Sequence, residues 1–79
     1  MSTINVHYFA SLREASGLSH EEISFEGTYK ELYLNLVQKY HFNLPPEMVM
    51  VAVNDEFSTM DEVVIPHSKV VFIPPVAGG

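Results

Sequence analysis

The residues best suited to chemistry lie together at one end of the sequence: Ile73-Pro74-Pro75-Val76-Ala77-Gly78-Gly79. A terminal carboxylate on Gly79 is inert as it stands, because its charge resists nucleophilic attack. ATP could convert it to an acyl-adenylate, and a sulfur donor could then displace AMP and leave a thiocarboxylate, a stronger nucleophile. The preceding residues suit the delivery of such a group. Pro74 and Pro75 have no N–H with which to continue a sheet ladder, and they favour an extended chain leading away from a domain. From Pro75 onward the chain can reach about 16 Å, at ~3.3 Å per residue. Val76 and Ala77 offer small apolar grips. Gly78 and Gly79 lack Cβ atoms, so the last peptide can enter a slot too narrow for other residues. The expectation is a body over residues 1–75 and a flexible, extended tail over 76–79. Pro75, Val76, Ala77, Gly78 and Gly79 would enter another protein's active site, with Gly79 as the reacting residue. The plainer alternative is a frayed terminus of small residues without chemistry.

Little else in the chain competes for a chemical role. There is no cysteine, which excludes disulfides, thiol nucleophiles and thiolate metal sites. His7, His20, His41 and His67 show no metal-ligand spacing, so no metal is expected. Asp55-Glu56 and Asp61-Glu62 read as solvated charges near turns rather than a catalytic pair. Ser11, Ser58 and Ser68 have no nucleophile-elbow context, and no glycine-rich loop could cradle a phosphate. The chain is therefore not expected to be an enzyme on its own or to bind a cofactor.

Bulk properties narrow the partners. The 79 residues bound the chain to one domain, and 47% of them are apolar, too many for a disordered segment. Ten acidic residues against four basic ones give a net charge of −6. Such a surface repels nucleic acid and anionic membranes and suits a basic protein surface. No apolar run approaches the ~18 residues of a membrane span, and the N-terminus lacks a signal sequence. The expected location is the cytoplasm.

The elements that must carry the tail are legible from hydrophobic period. Thr3–Ala10 reads as a strand, with Ile4, Val6 and Tyr8 on one face. Ser11–Ser16 reads as a short turn or one helical turn, closed by Gly17. His20–Glu26 reads as a second strand. Thr28-Tyr29-Lys30-Glu31 matches a capping box. Behind it, Tyr29, Leu32, Tyr33, Leu36, Val37 and Tyr40 form one apolar stripe on a helix of about three turns, which should stop before Pro45-Pro46. Met48–Val53 is an unbroken apolar run ending in an Asn54-Asp55-Glu56 turn. Val63-Val64-Ile65 and Lys69–Ile73 are read as two further strands, each stopped by proline. This order suggests an α+β domain: a mixed sheet packed against one main helix, with the first and last strands parallel, as in a β-grasp fold. Met48–Val53 and Val70–Ile73 are apolar on both faces, whereas a sheet with one wet face normally alternates. A partner, or failing that a loop, should cover part of the second face.

Three segments carry a family resemblance that spans the chain. They are Val6-His7-Tyr8-Phe9-Ala10-Ser11-Leu12-Arg13-Glu14, Val51-Ala52-Val53-Asn54 and, most specifically, Pro74-Pro75-Val76-Ala77-Gly78-Gly79. The chain resembles the ubiquitin-like β-grasp sulfur carriers, and among them the small subunits of molybdopterin synthase. Thiamine-pathway carriers share the Gly-Gly but usually lack the double proline. The resemblance implies that a ubiquitin-activating-like adenylating enzyme uses ATP to activate Gly79 and that a sulfur-transfer protein makes the thiocarboxylate. The carrier would then dock on the large catalytic synthase subunit, in a heterotetramer of two large and two small subunits, and supply sulfur to the dithiolene of molybdopterin. It also implies partner contacts at Phe9, Arg13, Phe57 and Ile73. Read from the residues alone, Phe9 and Ile73 could equally be core residues of the opposite phase, and Arg13 an ordinary solvated charge. His67-Ser68 stands where the family often has a Gly-Asp turn. Delivery of sulfur to thiamine or tRNA, conjugation to proteins, and a β-grasp interaction module without chemistry are the alternatives.

Overall fold

The computed structural model describes residues 3–75, and their order is β1 (Thr3–Tyr8), α1 (Ala10–Ser16), β2 (His20–Ser24), α2 (Tyr29–Tyr40), a 3₁₀ turn (Pro46–Met48), β3 (Met50–Val53), β4 (Glu56–Ser58) and β5 (Lys69–Ile73). The strands form one mixed sheet in the order β2-β1-β5-β3-β4. β1 and β5 lie parallel at its centre, and the other pairings are antiparallel. The fold is the ubiquitin-like β-grasp.

α2 forms where the sequence signals it. Thr28 Oγ1 accepts from the Glu31 N–H at 3.2 Å, and Glu31 Oε1 accepts from the Thr28 N–H at 2.8 Å, which completes the capping box. The helix ends at His41, whose left-handed backbone (φ 60) lets its N–H reach the Val37 carbonyl. That turn stops the helix, four residues ahead of the prolines. Gly27 precedes the cap at φ +140, and a Cβ there would lie 2.7 Å from Glu31 Oε1, so position 27 needs glycine.

The stripe of α2 buries Tyr29, Leu32, Tyr33 and Leu36 against Ile4, Val6 and Tyr8 of β1, Val51 and Val53 of β3, and Val70 and Phe72 of β5. Tyr33 sits at the centre, its ring 5.4 Å from that of Phe72. Its hydroxyl donates to the Leu44 carbonyl at 2.7 Å, and burial pushes its pKa up to about 12.

Several sequence expectations are corrected. Val63-Val64-Ile65 is not a strand: Val63 makes one isolated bridge to Thr28, and Val63 and Ile65 are exposed. Val64 alone turns inward, its N–H donating to the Gly27 carbonyl at 2.8 Å. This segment ties the helix start to the sheet instead of extending the sheet. The remaining strand is β4, which hairpins onto β3 through Asn54-Asp55, both left-handed (φ 50 and 71). The run Met48–Val53 splits into the end of the 3₁₀ turn and β3. β2 ends at Ser24, and the segment after β1 forms a helix, α1, closed by Gly17 in the left-handed region. His67 adopts φ 61, so the His67-Ser68 turn takes the backbone that a glycine would otherwise supply. Ser68 is buried and donates to the Ile65 carbonyl.

Candidate docking face and tail exit

The sheet has one face against α2 and one open face. In β5, Val70 and Phe72 point to the core, so Lys69, Val71 and Ile73 point outward. Register then builds a row across the open face: Phe57 of β4, Ala52 of β3, Val71 of β5, His7 of β1 and His20 of β2. A second row places Met50 beside Ile73. Phe9, just past β1, lines a groove with His7 and Val71.

The outer phase decides between two readings of Phe9 and Ile73. Phe9 is 58% exposed and Ile73 is half-buried, while their neighbours Tyr8 and Phe72 fill the core. Phe57 is 70% exposed and Met50 55%. Phe9, Met50, Phe57, Val71 and Ile73 thus make an apolar open surface, set by the strand pleat rather than by local sequence. Arg13, exposed on α1, borders the same groove as Phe9. Phe9, Arg13 and Ile73 therefore gather near one end of the face, and Phe57 stands on the far edge strand.

β5 ends at this end of the face. Its last pairings are Phe72 with Tyr8 and Ile73 with Met50. Pro74 is still buried against the body, and Pro75 is the first exposed residue beyond the strand. Val76, Ala77, Gly78 and Gly79 lie outside the described residues.

Electrostatics on the open face differ from the chain's overall charge. Arg13 and Lys69 are two of only four basic side chains, and both line the groove beside His7. The His7 and His20 rings stack with centroids 5.3 Å apart. Burial, then the neighbouring His20 and Lys69, hold the His7 pKa below its ordinary value. Sequence reading missed this cluster, because its members come from β1, β2, α1 and β5 and share no spacing. Among the described residues no group of three or more His, Asp or Glu side chains could hold a metal ion. No helix there is long and apolar enough to cross a membrane.

The ThiS family's sequence profile matches residues 6–79, nearly the whole chain and including the Gly-Gly. The chain belongs to the ThiS family. ThiS-family proteins are ubiquitin-like sulfur carriers, and small carriers of this kind are non-catalytic. No curated protein sequence matches this family member. Among solved structures, a putative molybdopterin converting factor subunit 1 from Pyrococcus furiosus superposes on this ThiS-family chain with a TM-score of 0.77 at 23% identity, covering 96% of this chain and 100% of its own. Small archaeal modifier protein 1 from Haloferax volcanii superposes with a TM-score of 0.78 at 17% identity, over 96% of this chain and 100% of its own. The protein of the same description from Methanosarcina acetivorans gives 0.76 at 21% identity, over 100% and 98%. At these identities the likeness is one of fold.

Proposed function

We propose that this ThiS-family carrier bears its sulfur as a thiocarboxylate on Gly79 and serves as the small subunit of molybdopterin synthase. The observation that carries the reading is that Gly78-Gly79 falls within the family match, behind a strand that ends beside an exposed apolar face. Residues 1–75 act as the body and 76–79 as the tail. An adenylating enzyme supplies ATP: the Gly79 carboxylate attacks the α-phosphate, pyrophosphate leaves, and a sulfide equivalent displaces AMP. The tail, from Pro75 to Gly79, then enters the active site of the large subunit while Phe9, Arg13, Phe57 and Ile73 contact its surface. The double proline, which thiamine-pathway carriers usually lack, supports this pathway over thiamine synthesis.

Intact-mass measurement after incubation with an adenylating enzyme, ATP and a sulfur source tests the chemistry. The expected result is the mass gain of one oxygen replaced by sulfur, located at Gly79 and lost when Gly79 is deleted. An unchanged mass, with an enzyme shown to be active on another carrier, overturns it. A second reading, attachment to proteins, draws on the two neighbours described as small archaeal modifier proteins. A stable isopeptide between Gly79 and a lysine would select it.

A further inference from the structure

The chain carries a net charge of −6, yet the groove between β1, β5 and α1 gathers positive and protonatable groups. His7, Arg13 and Lys69 line it, Phe9 and Val71 supply its apolar wall, and its volume is about 460 Å³. The groups facing His7 can be followed element by element. From β2 come His20, stacked on it, and Glu22, which sits opposite Asn5 and so one step diagonally away. From β5 comes Lys69, whose Nζ lies 3.1 Å from Asp55. From α1 comes Arg13, which has no ion-pair partner among the described residues. Lys69 is partly neutralised by Asp55, and Glu22 is the one carboxylate on the neighbouring strand's outer face. Arg13 and the two imidazoles remain.

This arrangement disfavours a bound metal cation, because the imidazole pair has positive neighbours. It favours an anion. The groove is continuous with exposed Phe9 and, through Val71, with the row to Ala52 and Phe57. A small free anion would leave that apolar wall unused, whereas a protein segment carrying a carboxylate beside an apolar side chain would use both. We propose that this groove receives an acidic-apolar segment of the docking protein, with His7 taking up a proton as the carboxylate approaches. The inference rests on the reading of the open face as a docking face and adds the chemistry of what docks. It differs from the expectation, drawn from net charge, of a basic partner, because it rests on the local charge of the groove.

The sign of the pH dependence follows from linkage. Burial and positive neighbours keep His7 neutral in the free carrier more than an ordinary histidine. An incoming carboxylate raises its proton affinity, so binding takes up a proton and tightens as pH falls.

An acetylated, amidated Phe-Glu-Asp-Leu-Glu peptide is a suitable probe, titrated into ¹⁵N-labelled full-length carrier at about pH 6 and about pH 8, either side of an ordinary histidine pKa. Expected are shifts centred on His7, Arg13, Lys69 and Val71, with affinity about fivefold higher at the lower pH, the size of one favourable charge contact. His7→Gln should keep the weaker binding and lose the pH dependence, and its own spectrum reports whether it is folded. Binding that ignores pH, equal binding of the Gln/Asn counterpart peptide, or shifts elsewhere on the surface would overturn the proposal. Equal shifts of the same residues with inorganic phosphate would instead show a free-anion site and also overturn it. No sulfur-transfer enzyme is present, so this result is separate from success or failure of the thiocarboxylate test.

Discussion

Glu21 sits at the rim of the core, where the hydroxyls of Tyr8 from β1 and Tyr40 from α2 both donate to its Oε2. Partial burial alone would raise its pKa, but the two tyrosine hydrogen bonds and nearby Lys39 outweigh that and hold the carboxyl below its ordinary value. The same contacts, with burial foremost, push the Tyr8 hydroxyl well above its usual range. Lys39 lies 3.6 Å from Oε1 on an exposed side chain and adds little. A carboxyl depressed in the folded state contributes stability that is present above its unfolded pKa and lost as pH falls through the folded one. Glu21→Gln keeps the shape and removes the charge. It should lower stability at neutral pH by about 1–2 kcal/mol, the difference between charged and neutral hydrogen bonds. It should also flatten the acid limb below about pH 4, where only the wild-type carboxylate is still to be protonated. Urea unfolding across a pH series measures both.

Elements hold because local signals and tertiary contacts agree. The capping box fixes where α2 starts, and the Tyr29 and Lys30 N–H groups, left without partners inside the helix, donate to the Glu62 and Met60 carbonyls at 3.1 and 2.9 Å. These two carbonyls, just ahead of the segment that looked like a strand, are thus a second cap on the same helix. Ile65 completes the tie, its N–H donating to the Tyr29 hydroxyl. Thr28→Ala removes the side-chain acceptor for Glu31 N–H and should cost about 1 kcal/mol of global stability. Hydrogen exchange should show faster opening in the first turn of α2 and, because the two are tied, in residues 60–65. Increased exchange confined to the helix would break the coupling.

The whole molecule separates a closed face from an open one. α2 packs on the core, while Phe57, on edge strand β4 and 70% exposed, lies outside it. Phe57→Asp should therefore leave the thermal midpoint within a few degrees, as surface changes within ±0.5 kcal/mol do. Binding to the large synthase subunit proposed as its partner should fall about tenfold or more, the loss typical of an exposed aromatic anchor. Calorimetric melting and binding titration of the same variant test the two statements together. A large fall in melting temperature would place Phe57 in the fold, and undiminished binding would remove it from the interface.

Much of this was written locally. The capping box, the stripe from Tyr29 to Tyr40 and the alternation of Ile4, Val6 and Tyr8 each report one element through its own period, so α2 and the core face of β1 follow from residues a few positions apart. Residue types alone also mark Pro74-Pro75 as a ladder stop and Gly78-Gly79 as a slender end, and the chemistry proposed for that end stays a reading of the sequence. Tertiary structure decided the remainder. Val63-Val64-Ile65 has strand propensity but ties to the segment leading into a helix, because its backbone partners are Gly27 and Thr28 rather than a strand edge. Glu56-Phe57-Ser58 has little pattern of its own and becomes a strand because the Asn54-Asp55 turn returns it to β3. Lys69 meets His7 only through the parallel pairing of β1 with β5, and Arg13 joins them from α1. Pairing register between distant segments is set by which side chains share the core, and no local period records it.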